Sequence, residues 1–377
     1  MWPKSKAPII LLSCQAGRPF AQKVYQHLQI LAKEQGQKYG LTFLRHVPLY
    51  ETHFANTDVK TEIGDRYTEE DSVRGCDVYI IQDIDNKRII PDKPQGSPEI
   101  KVTNDTNLRV LLTTCDAAFR SDAEYITAIT LSFPHARQHK RKAREGMTIT
   151  RVAQDLELNG VKRSIAMDIH NDGTEMAFRN ATFENLRSST VLLPYVNKHL
   201  DMENLVIGSV DTNAERAEFC ARYLHKTLGI TWKLRDYTQP SIVKEVKFLY
   251  DGDLTGKDVL FVDDMVSTAG SFLAIAKELK EKYKLKNIYI MAGLAFLDGS
   301  AVEKLDRAYA EGYLTELITT DAVYQPKEVV DRPWFTQISV ASIVAEAIFR
   351  VNTGRSLGPL LNPPKEDEER EETIKLK

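Results

Sequence analysis

Short apolar runs alternate with longer amphipathic stretches over most of the chain. Residues 9–13 read as a buried strand followed by helical spacing over 20–33, and the pairs 77–82 with 107–120 and 125–131 with 150–158 repeat the scheme. It resumes with strand 164–168, strand 205–209 before helix 214–228, strand 258–262 before helix 271–283, and strand 288–294. Alternation of this kind predicts an α/β fold with mainly parallel sheets flanked by helices. The continuous run Val259-Leu260-Phe261-Val262 suits a strand covered on both faces, where polar residues cannot alternate with apolar ones. Function is then expected beyond the C-terminal ends of the strands.

A chain of 377 residues exceeds what one core ordinarily covers. Two domains are expected, at 1–161 and 162–335, with a helix at 340–353 packing back on the first and a charged, disordered tail at 362–377. Charge-rich 64–72 and proline-containing 85–101 read as surface loops. Lys+Arg 50 against Asp+Glu 53 gives a net charge of −3, which argues against nucleic acid as a partner. No apolar run approaches the roughly 20 residues of a membrane span. Lys4 and Lys6 before 9–14 superficially resemble a lipoprotein signal, but the apolar part is shorter than a signal core and suits a first strand. Cys14, Cys76, Cys115 and Cys220 form no C-x-x-C pair, so a reducing, cytoplasmic setting is expected.

The stretch with the most chemistry is 258–271, where a buried strand delivers Asp263 and Asp264 and then a small-residue turn, Ser267-Thr268-Ala269-Gly270-Ser271, opens a helix. Backbone N–H groups at such a turn, helped by hydroxyls, cradle a phosphate, and Gly270 allows close approach. Adjacent carboxylates repel an anion unless they accept hydrogen bonds from sugar hydroxyls or hold a metal, so a ribose phosphate satisfies both halves. Two other stretches only imitate known motifs. Residues 251–256 begin like a calcium loop, but its closing acidic position is Val262; 252–257 lack Walker A glycine spacing. His135 and His139 have i, i+4 spacing without a third ligand, which does not make a zinc site.

The 258–271 stretch resembles the phosphoribosyl-pyrophosphate motif of type I phosphoribosyltransferases and ribose-phosphate pyrophosphokinases. Further segments resemble the pyrophosphokinase family specifically: 73–82 (Val-Arg-Gly-Cys-Asp-Val-Tyr-Ile-Ile-Gln), Ala136-Arg137-Gln138, and Met167-Asp168-Ile169-His170. The resemblance covers most of 8–361. It implies two tandem phosphoribosyltransferase-type (type I) domains and transfer of the β,γ-diphosphoryl group of ATP to the anomeric hydroxyl of ribose 5-phosphate, with Mg2+.

By that resemblance Lys233, Arg235 and His170 are catalytic, the first two leaving strand 230–233 for a mobile loop over 236–245. Asp168 and His170, two apart at a strand end and expected on one face, are the metal candidates. Arg137, Gln138 and His139 fall where the family contacts ATP, and Phe54, Asn56 and Asp58 where a neighbouring subunit holds adenine. Shared ATP sites imply a homo-oligomer, a hexamer by family expectation. Asp211, Thr212 and Asn213 form the pyrophosphate loop. Asn213 and Ala214 stand where the family carries paired glycines, and Asn56 where an acidic residue is usual. A weakly active regulatory subunit and a phosphoribosyltransferase remain open as other readings.

Overall fold

The structure is a computed structural model that describes residues 7–41, 43–87, 102–138, 141, 143–212, 214–235 and 243–363. In chain order the elements are β1 (Ile9–Ser13), α1 (Arg18–Tyr39), β2 (Leu44–His46), β3 (Leu49–His53), β4 (Val59–Ile63), β5 (Asp77–Ile81), α2 (Asn104–Arg120), β6 (Tyr125–Ile129), α3 (Thr148–Leu158), β7 (Arg163–Met167) and β8 (Thr182–Leu186). Then come α4 (Ser189–His199), β9 (Leu205–Ser209), α5 (Glu215–Tyr223), β10 (Leu228–Arg235), β11 (Val243–Leu249), β12 (Asp258–Val266), α6 (Gly270–Tyr283), β13 (Asn287–Ala295), α7 (Ala301–Ala310), β14 (Glu316–Thr320), α8 (Lys327–Val330) and β15 (Phe335–Ile338). The chain closes with α9 (Ala341–Asn352) and α10 (Gly358–Leu361).

Two compact units result. The first runs to Arg187 and includes Ala322–Tyr324 and the chain from Val340 onward. Its sheet has the order β2-β1-β5-β6-β7-β8, parallel throughout, and β3 and β4 form a separate antiparallel hairpin. All five residues of β1 and of β5 are buried, as two-sided helix cover requires. The sequence-based boundary at 161 falls inside this unit. β7 pairs with β6 and β8 with β7, so the sheet is completed only at Leu186 and the boundary moves to Arg187. From the far end of the chain α9 packs on α1, and the Asn352 amide donates to a carboxylate oxygen of Asp77 at 2.7 Å.

The second unit spans Ser188–Asp321 and Gln325–Ser339. Its sheet order is β11-β10-β9-β12-β13-β14-β15, with β11 alone antiparallel to its neighbour. From β9 the chain crosses through α5 to β10 on one side, and from β12 through α6 to β13 on the other. The order therefore reverses between β9 and β12, which makes this a topological switch point, the place where open α/β sheets bind ligands. Three expectations change here. The helix foreseen at 214–228 stops at Tyr223, because Leu228 already pairs with Ile207 in the sheet. The strand foreseen at 258–262 continues to Val266, in step with β13. The loop foreseen at 236–245 overlaps β11, whose Val243 pairs with Arg235.

Candidate functional site

The second unit's switch point brings together the end of β9 and the later residues of β12. Val262 of β12 lies level with Ser209 of β9, so Asp263-Asp264 and Val210-Asp211-Thr212 emerge side by side. Asp264 is buried, and its N–H donates to the Asp263 carboxylate at 2.9 Å. Burial, a hydrogen bond between the Asp263 and Asp264 side chains, and the charges of Asp264 and Asp211 push the Asp263 carboxyl up to about 7, against the lowering by the Asp264 N–H. Asp211 and Thr212 are exposed. The Ser209 hydroxyl donates to the Asp211 carbonyl at 2.7 Å, and the Thr231 hydroxyl donates to the Ser209 carbonyl, which ties the loop to β10. Asn213 lies outside the described residues. Ala214 carries φ −91°, so the alanine is unstrained on a backbone that does not need the family's glycine there.

Beyond β12 the turn 267–269 leads into α6. Ala269 is left-handed, φ 57°, and buried, and Gly270 opens the helix. A methyl group placed on Gly270 would meet nothing nearer than the Thr268 hydroxyl oxygen at 4.0 Å. The protein's own packing does not demand glycine here, and the position opens a helix, where an anion is favoured. Thr268 and Ser271 are exposed; the Ser267 hydroxyl instead donates to Asp298 at 2.9 Å and ties the turn to the loop after β13.

Other candidates lie on the first unit. Phe54 is exposed at the tip of the β3–β4 hairpin, in a turn closed by Phe54 N–H to the Asp58 carbonyl at 2.9 Å. The Asn56 amide donates to Asp58 at 2.6 Å, so the two polar candidates are bonded to each other. Arg137 and Gln138 are exposed in a turn after β6, and the Thr148 hydroxyl donates to the Gln138 side-chain oxygen at 2.5 Å. His135 belongs to this turn with φ 58° and pairs with Asp105 at 3.4 Å, so it is not on a helix; His139 lies outside the described residues. Asp168 and His170 do not share a strand face: β7 ends at Met167, Asp168 is left-handed with φ 46° and buried, and His170 is exposed. In the second unit, the Lys233 and Arg235 backbones lie on β10; their side chains lie outside the described residues. Asn185 escaped sequence reasoning, because β8 carries no apolar periodicity that marks it as a strand; its side chain accepts from Ile169 N–H at 3.3 Å.

Known proteins resemble this chain over most of its length. Residues 9–160 match the model of the N-terminal domain of ribose phosphate pyrophosphokinase. Residues 237–362 match that of the phosphoribosyl synthetase-associated domain. Ribose-phosphate pyrophosphokinase of Campylobacter jejuni is 31% identical over 353 residues, 93% of this chain and 98% of the relative. The chain belongs to the ribose-phosphate pyrophosphokinase family. Another pyrophosphokinase-family relative, ribose-phosphate pyrophosphokinase A of Dictyostelium discoideum, is 31% identical over 297 residues, 78% of this chain and 86% of its own. Phosphoribosylpyrophosphate synthetase from Mycobacterium smegmatis shares the fold with a TM-score of 0.72 at 24% identity, covering 91% of this chain and 98% of that one. The pyrophosphokinase family's two-domain, phosphoribosyltransferase-type architecture is thus the architecture of this chain.

Proposed function

We propose that this protein is a ribose-phosphate diphosphokinase: the anomeric hydroxyl of ribose 5-phosphate attacks the β-phosphorus of ATP, the bond from that phosphorus to the α-phosphate oxygen breaks, and phosphoribosyl pyrophosphate and AMP are formed with loss of the hydroxyl proton. One observation carries the reading. At the switch point a carboxylate pair is followed within a few residues by a phosphate-type turn whose helix-opening glycine leaves open space. That juxtaposition suits a molecule with sugar hydroxyls at one end and a phosphate at the other.

Within this reading Asp263 and Asp264 accept ribose hydroxyls, and Thr268, Ala269, Gly270 and Ser271 hold the 5-phosphate, with Ser267 bracing their turn. Asp211 and Thr212 lie beside the ribose pair for the diphosphate, and Arg137, Gln138 and Phe54 serve ATP. In-line transfer demands positioning and positive charge more than covalent help, which suits Lys233 and Arg235 as the groups that offset charge on the transferring diphosphate. Among the described residues no group of three or more His, Cys, Asp or Glu is placed to cage a metal. Mg2+ commonly takes only one or two protein ligands and draws the rest from phosphate and water. Asp168 and His170 would hold it, and it would neutralise phosphate charge. The exposed Phe54 hairpin supports a site shared between subunits of a homo-oligomer, a hexamer in this reading. The four buried, free cysteines support a cytoplasmic setting, and no described helix is long and apolar enough to cross a membrane.

The test is a magnesium assay with ribose 5-phosphate and ATP that resolves AMP, ADP and phosphoribosyl pyrophosphate chromatographically. AMP and phosphoribosyl pyrophosphate in equal amounts are expected. Neither product, from folded protein that still binds ATP, would replace this reading with that of a regulatory subunit.

A further inference from the structure

The turn that carries two of the candidate residues, Asp168-Ile169-His170, is held by a neighbouring strand in an unusual way. β7 and β8 run in parallel register, with Met167 level with Leu186. Immediately afterwards Asp168 takes a left-handed conformation, φ 46°, which non-glycine residues adopt seldom. Such a kink persists only where its surroundings fix it. Here the Asp168 N–H donates to the Leu186 carbonyl at 3.0 Å, and the next N–H, that of Ile169, donates to the side-chain oxygen of Asn185 at 3.3 Å. Two consecutive N–H groups, at the kink and just past it, are thus held by two consecutive residues of β8. The Asn185 amide oxygen takes the place of a ladder acceptor that the sheet no longer supplies.

A second clamp follows at once. The Asn171 side chain accepts from Gly173 N–H at 2.8 Å, and its carbonyl accepts from the Thr174 hydroxyl at 2.8 Å. Between the clamps Ile169 is buried while His170 is exposed, so the histidine is presented from a turn fixed on both sides.

We propose that Asn185 is a positioning residue: by holding the Ile169 N–H, it fixes the 168–170 turn so that Asp168 and His170 present their donor atoms to the metal carried by ATP. This rests on the ATP and magnesium reading above. Outer partners of metal ligands commonly change affinity by about 10–100-fold when removed, because they set ligand orientation.

Asn185→Leu removes the acceptor at similar volume, and Asn185→Asp keeps an acceptor oxygen in the same place. The measurement is the Mg2+ concentration that half-saturates binding of a non-hydrolysable ATP analogue, followed by calorimetry, with the melting temperature recorded for each variant. Asn185→Leu is expected to need about tenfold more Mg2+, and Asn185→Asp to stay within about threefold of wild type. If Asn185→Leu does not fold, Asn185→Ala is read in its place. A lowered melting temperature with unchanged Mg2+ dependence would make Asn185 a structural residue only and overturn the proposal, as would an Asn185→Asp variant as impaired as Asn185→Leu. Wild-type protein that shows no Mg2+-dependent binding would remove the underlying reading and this inference with it; a responsive wild type beside an insensitive Asn185→Leu removes the inference alone.

Discussion

At Asp263 a carboxyl sits within a strand, beside a second carboxyl and near a third, and burial is the foremost reason that its pKa rises from 3.8 to about 7. The raised value means that the folded protein holds this proton more tightly than the unfolded chain does, so stability contributed by the protonated form is lost as pH rises from about 4 to about 7. Binding has the opposite sign, since the ionised carboxylate accepts sugar hydroxyls more strongly than the protonated acid does. Titration calorimetry between pH 8 and 6 should show ribose 5-phosphate binding weaken as pH falls through about 7, with a limiting slope of about tenfold per pH unit for the protein's own proton. Asp263→Asn should flatten that response and raise the melting temperature at pH 8 more than at pH 5; a wild-type affinity independent of pH would remove Asp263 from the sugar. Gly270 separates ligand from fold more cleanly. Its missing Cβ has open space around it, so Gly270→Ala should leave the melting temperature unchanged or slightly higher while KM for ribose 5-phosphate rises about tenfold through loss of close approach. An unchanged KM would mean that the phosphate does not approach this glycine.

Elements differ in how much of themselves they write into the sequence. β1, β5, β9 and most of β12 are buried on both faces, and their apolar runs were legible for that reason. β8, with Thr182-Phe-Glu-Asn-Leu, and the hairpin strand β3, with Leu49-Tyr-Glu-Thr-His, are partly exposed, and their polar residues hide the pattern. The site followed the same division. The turn at 267–270 was legible as a turn because its small residues follow a buried strand, whereas the kink at Asp168 was not, because a left-handed aspartate leaves no composition signal. One structural device here is also testable. A single carboxylate oxygen of Glu157, near the end of α3, accepts from the N–H groups of Arg179, Asn180 and Ala181 at 2.7, 2.6 and 2.8 Å. Burial pushes this carboxyl up, but the three N–H groups together outweigh it and bring the net pKa below the usual glutamate value. Its contribution is therefore full above the ordinary pKa of 4.5 and is lost as pH falls through the lower folded value. Glu157→Ala should cost about 2 kcal/mol at pH 7 and less in acid, read from denaturant melts of the full chain; equal losses at both pH values would show that the carboxylate charge is not what holds the loop.

Over the whole molecule the chain does not divide where a linear reading divides it. The first unit takes its last helix from beyond residue 340, after the second unit has been completed. The expected return of a helix at 340–353 to the first domain is what the structure shows, whereas the extension of the first sheet to β8 was hidden by the weak pattern of β8. Eight of the twelve residues of α9 are buried, among them Ile343, Val344, Ile348 and Phe349. At roughly 1.5–3 kcal/mol for each such side chain, their burial is comparable with the roughly 5–15 kcal/mol by which folded domains are stable at all. Loss of α9 would also take the Asn352 amide from Asp77, a buried carboxylate inside β5. A chain ended after Ser339 should therefore lose the cooperative melting transition of the first unit and be recovered largely as aggregate. A chain ended after Pro363 keeps α9 and α10 and removes the charged segment, and should melt and turn over like the full protein. If the shorter chain melts normally, α9 is an accessory to the first core; if the longer one fails, the charged end has a structural part that its composition does not suggest.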